Sequence, residues 1–220
     1  MSVVQQQHDQ QTTLSKAVFK KEFASTSQQA PLKRFCDDLR KHFEQFGNGA
    51  EGAERVKSMM SEYIDTHEDW KDYALYHPAF YARNLVEANE HFELIVICWK
   101  DGQKSPIHNH AGSSCWMGCL EGKIEETYYH VKDEPETGPE EGICPNLIKG
   151  QTEAHTKGEV AYIRDEIALH VIRPIDGNGV SLHLYSPPIK SCLIYIPALG
   201  KTARKTVGYH TIDKVRCNDD

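Results

Sequence analysis

From Pro78 onward the chain reads as a train of short apolar runs: FYARNLV, HFELIVICW, SPIHNH, CWMGCLEG, KIEETYYHV, EVAYIRD, ALHVIRP, VSLHLYSP and CLIYIP. Each is rich in Val, Ile, aromatic or alternating residues and is bounded by turn-forming residues, the signature of strands rather than of helices. Gly102, Gly112, Gly122, Gly158, Asp176-Gly177-Asn178-Gly179 and Pro187-Pro188 are read as the points where the chain reverses. Many short strands must close into a sandwich or a barrel to bury their inner faces, and the pattern predicts a mainly β jelly-roll barrel.

Two to three helices are expected before the strands. Leu32, Phe35, Leu39, Phe43 and Phe46 recur at three- and four-residue spacing after Pro31 and stop at Gly47, which predicts one amphipathic helix. Val56, Met59, Met60 and Tyr63 predict a second, and a short third element runs from Trp70 to Leu75. Residues 1–30 are rich in Gln, Ser and Thr with few large apolar groups, so they are expected to form a flexible arm on a single domain over 31–220. Residues 132–158, centred on PETGPEEG, read as a long acidic loop or hairpin tip.

At 220 residues the domain can bury a substantial core without disulfide staples. A net charge of -7, with no stretch of Lys and Arg interleaved with aromatics, argues against nucleic-acid or anionic-membrane partners. The opening MSVVQQQHDQQTT has neither a basic start nor an apolar run, and no segment approaches the roughly 20 apolar residues of a membrane span, so a cytoplasmic location is expected. The cysteines at 36, 98, 115, 119, 144, 192 and 217 form no C-x-x-C pair, which fits a reduced compartment. Without a coiled-coil seam, monomer is the default.

His108-Asn109-His110 carries the chemistry. In an extended strand alternate residues share a face, so the two imidazoles could grip one ion together while Asn109 points away. Twelve histidines give about 0.65 such pairs by chance, so the pair needs a partner to mean anything. His170, in the apolar run ALHVIRP, is the best candidate, because a polar ring there is costly unless hydrogen-bonded or metallated. His155, in TEAHTKG, is a poorer one. Imidazole suits Fe, Zn, Cu and Ni alike, so the residues alone do not choose the metal. In Ser181-Leu182-His183-Leu184-Tyr185 the three polar side chains share one strand face, which reads either as a polar relay or as a face turned to water. Ser186-Pro187-Pro188 then gives that strand a rigid exit.

FYARNLV, LIVICW, SPIHNH, Cys115, ALHVIRP and SLHLYSPP follow one another in an order that resembles the eukaryotic cysteine dioxygenases, over about residues 31–210. The resemblance implies a cupin jelly-roll holding one Fe(II) per chain on His108, His110 and His170. It implies a thioether between Cys115 and the ring of Tyr185, serving as a protein-derived cofactor. Arg83 would hold the substrate carboxylate with Tyr81 beside it, Tyr185 and His183 would act at the reacting groups, and Ser181 would support His183. Cys192 would lie near the mouth of the site. The implied reaction converts L-cysteine and O2 to cysteine sulfinic acid, with no nucleic-acid or membrane partner. Alternatives are a dioxygenase for another small thiol, 3-mercaptopropionate or cysteamine, or a metal-binding cupin without oxygen chemistry. The His108 motif lacks the Glu or Asp that four-ligand cupins would place there. The long N-terminal arm and the acidic residues after Val131 depart from the family pattern without touching a motif.

Overall fold

Helix α1, Pro31–Phe46, carries proline in its first turn, where a missing N–H is harmless, and ends at Gly47 with φ +68°. The computed structural model that defines it describes residues 29–49, 52–132 and 140–217, so the expected arm lies, up to residue 28, outside the described residues. The α1 stripe of Leu32, Phe35, Leu39 and Phe43 is buried, together with Cys36 and His42. Phe46 departs from the expected stripe: it sits in the last turn, is 61% exposed and packs on the His42 ring. Helix α2, Ala53–Thr66, buries Val56, Met60, Tyr63 and Ile64, and the short third element is a 3-10 turn over Asp69–Tyr73 that buries Trp70. Asp69 ties the three together, accepting from Leu32 N at 2.7 Å and from Tyr63 Oη at 2.9 Å.

Twelve strands follow among the described residues: β1 (Ala82–Ala88), β2 (Glu93–Trp99), β3 (Ile107–His108), β4 (Ser114–Val131), β5 (Gly142–Ile143), β6 (Leu147–Thr156), β7 (Val160–Ile163), β8 (Leu169–Ser186), β9 (Ser191–Ile196), β10 (Lys201–Thr206), β11 (Thr211–Ile212) and β12 (Val215–Arg216). They are hydrogen-bonded in the order β12-β11-β1-β2-β8-β3-β9-β10-β5, with β4 pairing β8, β6 and β7. This is the mainly β architecture expected. The period of two along β2, β4 and β8 separates two cores. Leu94, Val96, Trp116, Leu182 and Leu184 face the helices, while Ile95, Ile97, Cys115, Met117 and Tyr185 face the other way. The helices thus cap one face of the sheet and leave the other to line the site.

Two expected reversals are not reversals. β4 runs through Gly122 and β8 runs through Asp176-Gly177-Asn178-Gly179, and the two strands stay antiparallel from Ser114 opposite Ser186 to Tyr129 opposite Leu169. The glycines serve a bulge instead. Register shifts at Glu121 leave extra β8 residues opposite β4, with Asp176 at φ +63° and Gly177 at +127°. The described part of the expected acidic loop is also more regular than its composition suggests. Leu147–Thr156 is strand β6 on the edge of β4, and its mostly exposed side chains explain why it carries no apolar alternation. The polar β10 lacks a strand signature in the sequence for the same reason.

Gly122 has φ +74°, and a Cβ built on it would lie 2.4 Å from the Asn178 carbonyl oxygen. Gly122→Ala is therefore expected to destabilise the protein by roughly 2 kcal/mol or more in denaturant unfolding. A variant with the midpoint of the parent would show that the bulge tolerates a side chain.

Candidate metal centre

His108 ends β3 directly opposite His170 on β8, so backbone pairing alone brings two imidazoles together. His110 arrives differently from the expectation of one extended strand face. The strand stops at His108, and the chain turns through Ala111 at φ +52°. Asp165 holds that turn, accepting from His110 N at 2.5 Å and from Gly112 N at 2.8 Å. Asn109, read only as a spacer, is buried, and its Oδ1 accepts from Leu193 N on β9 at 2.8 Å.

The three rings converge through Nε2. His170 Nε2 lies 3.1 Å from His110 Nε2 and 3.2 Å from His108 Nε2, and among the described residues these three form the group able to hold an ion. The other nitrogens explain why. His108 Nδ1 faces the Pro106 carbonyl at 3.0 Å and His170 Nδ1 faces Glu126 Oε1 at 2.6 Å. Carbonyls and carboxylates only accept, so both Nδ1 atoms carry the proton and both Nε2 atoms present bare lone pairs. His110 Nδ1 lies 3.7 Å from Asp165 Oδ1. Lone pairs facing one another at this range repel unless a proton or a cation lies between them. Nitrogens about 2.1 Å from one ion, at angles near 90–109°, stand roughly 3.0–3.4 Å apart, so the donor set fits a single transition metal. Burial, reinforced by the neighbouring rings, holds His108 well below the usual histidine range, and burial holds His110 at about 4. Both are therefore neutral and ready to ligate at neutral pH.

Glu126 is among the residues that sequence reasoning missed. It is fully buried on β4 and serves His170, His155 Nε2 at 3.3 Å and the Tyr128 hydroxyl at 3.0 Å. Burial alone would raise its pKa; the hydrogen bonds from His155 and His170 overcome that and hold it far below the carboxylate range. The signal was present in KIEETYYH, where Ile124, Glu126 and Tyr128 fall on one face and the first and last are buried. His155 is thus a partner of Glu126 and stands outside the three-ring cluster.

Cys115 and Tyr185 sit directly opposite each other on β4 and β8. Burial raises both groups well above their usual ranges. The Ser181, His183, Tyr185 face is not turned to water: the three are 0%, 2% and 4% exposed. Trp99 Nε1 donates to Ser181 Oγ at 2.8 Å, Ser181 Oγ lies 2.9 Å from His183 Nε2, and His183 Nδ1 lies 3.3 Å from Tyr185 Oη. Because tryptophan can only donate, the Ser181 hydroxyl proton is free for His183. Burial and the Arg83 charge keep His183 neutral. The Ser186-Pro187 peptide that closes the strand is cis.

A cavity of about 530 Å³ opens beside His108, lined also by Tyr81, Arg83, Tyr185, Cys192 and Tyr209. Arg83 is largely buried. Its guanidinium carbon lies 5.7 Å from the Tyr185 ring centre, its Nε donates to Gly208 O at 3.2 Å, and Nη2 stands 3.8 Å from Glu93 Oε1. Tyr81 stacks on Trp99 with ring centres 4.6 Å apart. The cavity therefore joins a fixed cation, a phenol and a three-imidazole cluster, enough to orient a small anionic metal ligand.

The family model for cysteine dioxygenase type I matches residues 21–196. The cysteine dioxygenase type 1 of Danio rerio is 33% identical over 183 residues, covering 81% of this chain and 84% of that protein. That of Homo sapiens is 30% identical over 182 residues, covering 81% and 87%. The solved structure of TT1209 from Thermus thermophilus aligns at a TM-score of 0.41 and 20% identity, covering 56% of this chain and 98% of that one. With the family model spanning most of its length and the Danio rerio and Homo sapiens proteins each matching 81% of it at 30% identity or more, the chain belongs to the cysteine dioxygenase type I family.

Proposed function

We propose that this chain converts L-cysteine and O2 to cysteine sulfinic acid at one Fe(II) held by His108, His110 and His170. The observation that carries the reading is a single cavity that joins the bare-nitrogen cluster, through His108, to the buried guanidinium of Arg83. Sulfur loses four electrons, dioxygen gains four, and both oxygen atoms end on sulfur. A ferrous ion on three neutral ligands supplies the Lewis acidity that makes a thiolate of the substrate and the redox chemistry that lets dioxygen add to it.

The protein's part is positioning. Arg83 offers a planar fork to the substrate carboxylate, which leaves the thiol and amine directed toward the histidines. Tyr185, with its oxygen beside His183 Nδ1, hydrogen-bonds the carboxylate or the added oxygen. Glu126 holds the Nδ1 proton of His170 and so keeps Nε2 free for the metal. The pairing of Cys115 with Tyr185 favours a thioether between sulfur and ring, formed with loss of two hydrogen atoms to dioxygen during turnover, which would remove a rotation of the phenol. One chain supplies every residue named, so the reading calls for a monomer with one iron. No helix of the described residues is long and apolar enough to cross a membrane; we place the enzyme in the cytoplasm.

Oxygen uptake by the Fe(II)-loaded protein with L-cysteine, 3-mercaptopropionate and cysteamine in parallel tests the reading. Stoichiometric cysteine sulfinic acid, formed chiefly from L-cysteine, is expected; a clear preference for either other thiol would move the assignment to that substrate, and no uptake with any would end it. His170→Ala is expected to abolish iron binding, and Glu126→Gln to weaken it about 10- to 100-fold in chelator competition. Unchanged affinity in Glu126→Gln would mean that the carboxylate does not prepare His170. Cys115→Ala is expected to keep partial activity, and intact mass after turnover should reveal a species lighter by two hydrogen atoms. If no such species forms, the thioether is wrong.

A further inference from the structure

The outer wall of the substrate cavity comes from a segment beyond the residues matched by the family model, which end at 196. After β10 the chain passes through Val207, Gly208, Tyr209 and His210 before β11 pairs in parallel with β1, Thr211 opposite Asn84 and Ile212 opposite Leu85. This strap is fastened to β1 around Arg83. His210 N donates to the Arg83 carbonyl at 2.7 Å, Arg83 Nε donates to the Gly208 carbonyl at 3.2 Å, and Thr211 Oγ1 donates to Asn84 Oδ1 at 2.9 Å.

Tyr209 carries the strap's side-chain contact with the surroundings of Arg83. The Tyr209 hydroxyl donates to Oε2 of Glu93, a carboxylate with no exposed surface. Oε1 of the same carboxylate receives Ile189 N at 3.4 Å and faces Arg83 Nη2 at 3.8 Å. The Tyr209 ring centre lies 5.9 Å from the guanidinium carbon, and the Tyr185 ring centre 5.7 Å from it. Glu93 also stands directly across from Tyr185 in the pairing of β2 with β8.

We infer that Tyr209 and Glu93 are positioning residues for Arg83, and that the strap sets the preference of this enzyme for thiols bearing a carboxylate. The inference rests on the proposed role of Arg83. An arginine in a half-enclosed cavity beside a buried carboxylate has a competitor for its fork: if Glu93 swung fully onto the guanidinium, the donors needed by the substrate would be occupied. Tyr209 and Ile189 N hold the two oxygens of Glu93, so the carboxylate stays at 3.8 Å from Nη2, outside a direct hydrogen bond. It neutralises the buried charge without capping it, while Gly208 O and the two aromatic rings fix the plane of the guanidinium. Removing the phenolic oxygen would release Oε2 and let Glu93 close on Arg83.

The test measures the ratio of kcat/KM for L-cysteine to that for cysteamine, which has no carboxylate, in the Fe(II)-loaded parent, Tyr209→Phe, Glu93→Gln, the double variant and Arg83→Ala. Tyr209→Phe is expected to lower the ratio about five- to tenfold, with the loss in KM for cysteine rather than in kcat. Because Tyr209 acts through Glu93, adding Tyr209→Phe to Glu93→Gln should change the ratio by less than about twofold. If Tyr209→Phe leaves the ratio at the parent value, or lowers it equally with and without Glu93, the strap has no such role. If Arg83→Ala itself leaves the ratio unmoved, the carboxylate reading of Arg83 fails first and the inference falls with it. Circular dichroism of each variant separates these outcomes from loss of fold.

Discussion

The antiparallel pairing of β4 with β8 sets most of the functional distances in this protein. One ladder carries Cys115 opposite Tyr185 at one end and Tyr128 opposite His170 at the other, with Glu126 two positions farther in on β4. Side chains alternate along each strand, so a one-residue slip of β4 would turn Cys115 and Glu126 away from Tyr185 and His170 together. The bulge at Gly122 and at Asp176 to Gly179 is what lets so long a ladder exist. It absorbs the register shifts at Glu121 and lets the pairing resume on its far side.

Much of this was legible in the sequence. The helix stripes, the short strands and the shared face of Ser181, His183 and Tyr185 rest on periodicities that backbone geometry imposes directly, whereas His108 and His110 were legible as a pair although a turn rather than a strand face brings His110 in. What escaped was of two kinds. Gly122 and Asp176-Gly177-Asn178-Gly179 have the composition of turns, and a bulge uses the same positive-φ residues as a reversal, so composition cannot tell them apart without knowing the partner strand. Glu126, Asp165, Glu93 and Tyr209 act through contacts between residues far apart in the chain, and an acidic residue in a polar run looks like surface until its partner is seen. Glu126 illustrates the limit: its neighbours on both sides are ordinary strand residues, and only His170, 44 positions away, makes it functional.

The three imidazoles are alike in type but unequal in surroundings. His108 leans on a carbonyl, His110 lies 3.7 Å from a carboxylate that also holds its backbone, and His170 is bonded tightly to a buried carboxylate. A three-histidine site of this kind is therefore not free of protein charge. Glu126 lies one ring away from the three converging nitrogens, and by accepting from His170 Nδ1 it fixes which nitrogen of that ring faces them. The negative charge sits behind the imidazole, outside the group of three converging nitrogens.

The same device recurs at the other end of the cavity. Glu93 faces Arg83, and Glu126 stands behind His170, the ring that would help carry a cation: each is a fully buried carboxylate, held by hydroxyl or backbone donors, that supplies negative charge without blocking the donors or lone pairs in front of it. Burying a guanidinium or a divalent cation with no counter-charge would cost several kcal/mol, and placing the counter-charge in the cavity itself would displace the substrate. Setting both carboxylates behind the groups they neutralise avoids each problem. It leaves a cavity whose walls are positive toward the ligand and balanced toward the core, suited to a small thiol that brings its own negative carboxylate and, on binding metal, its own thiolate.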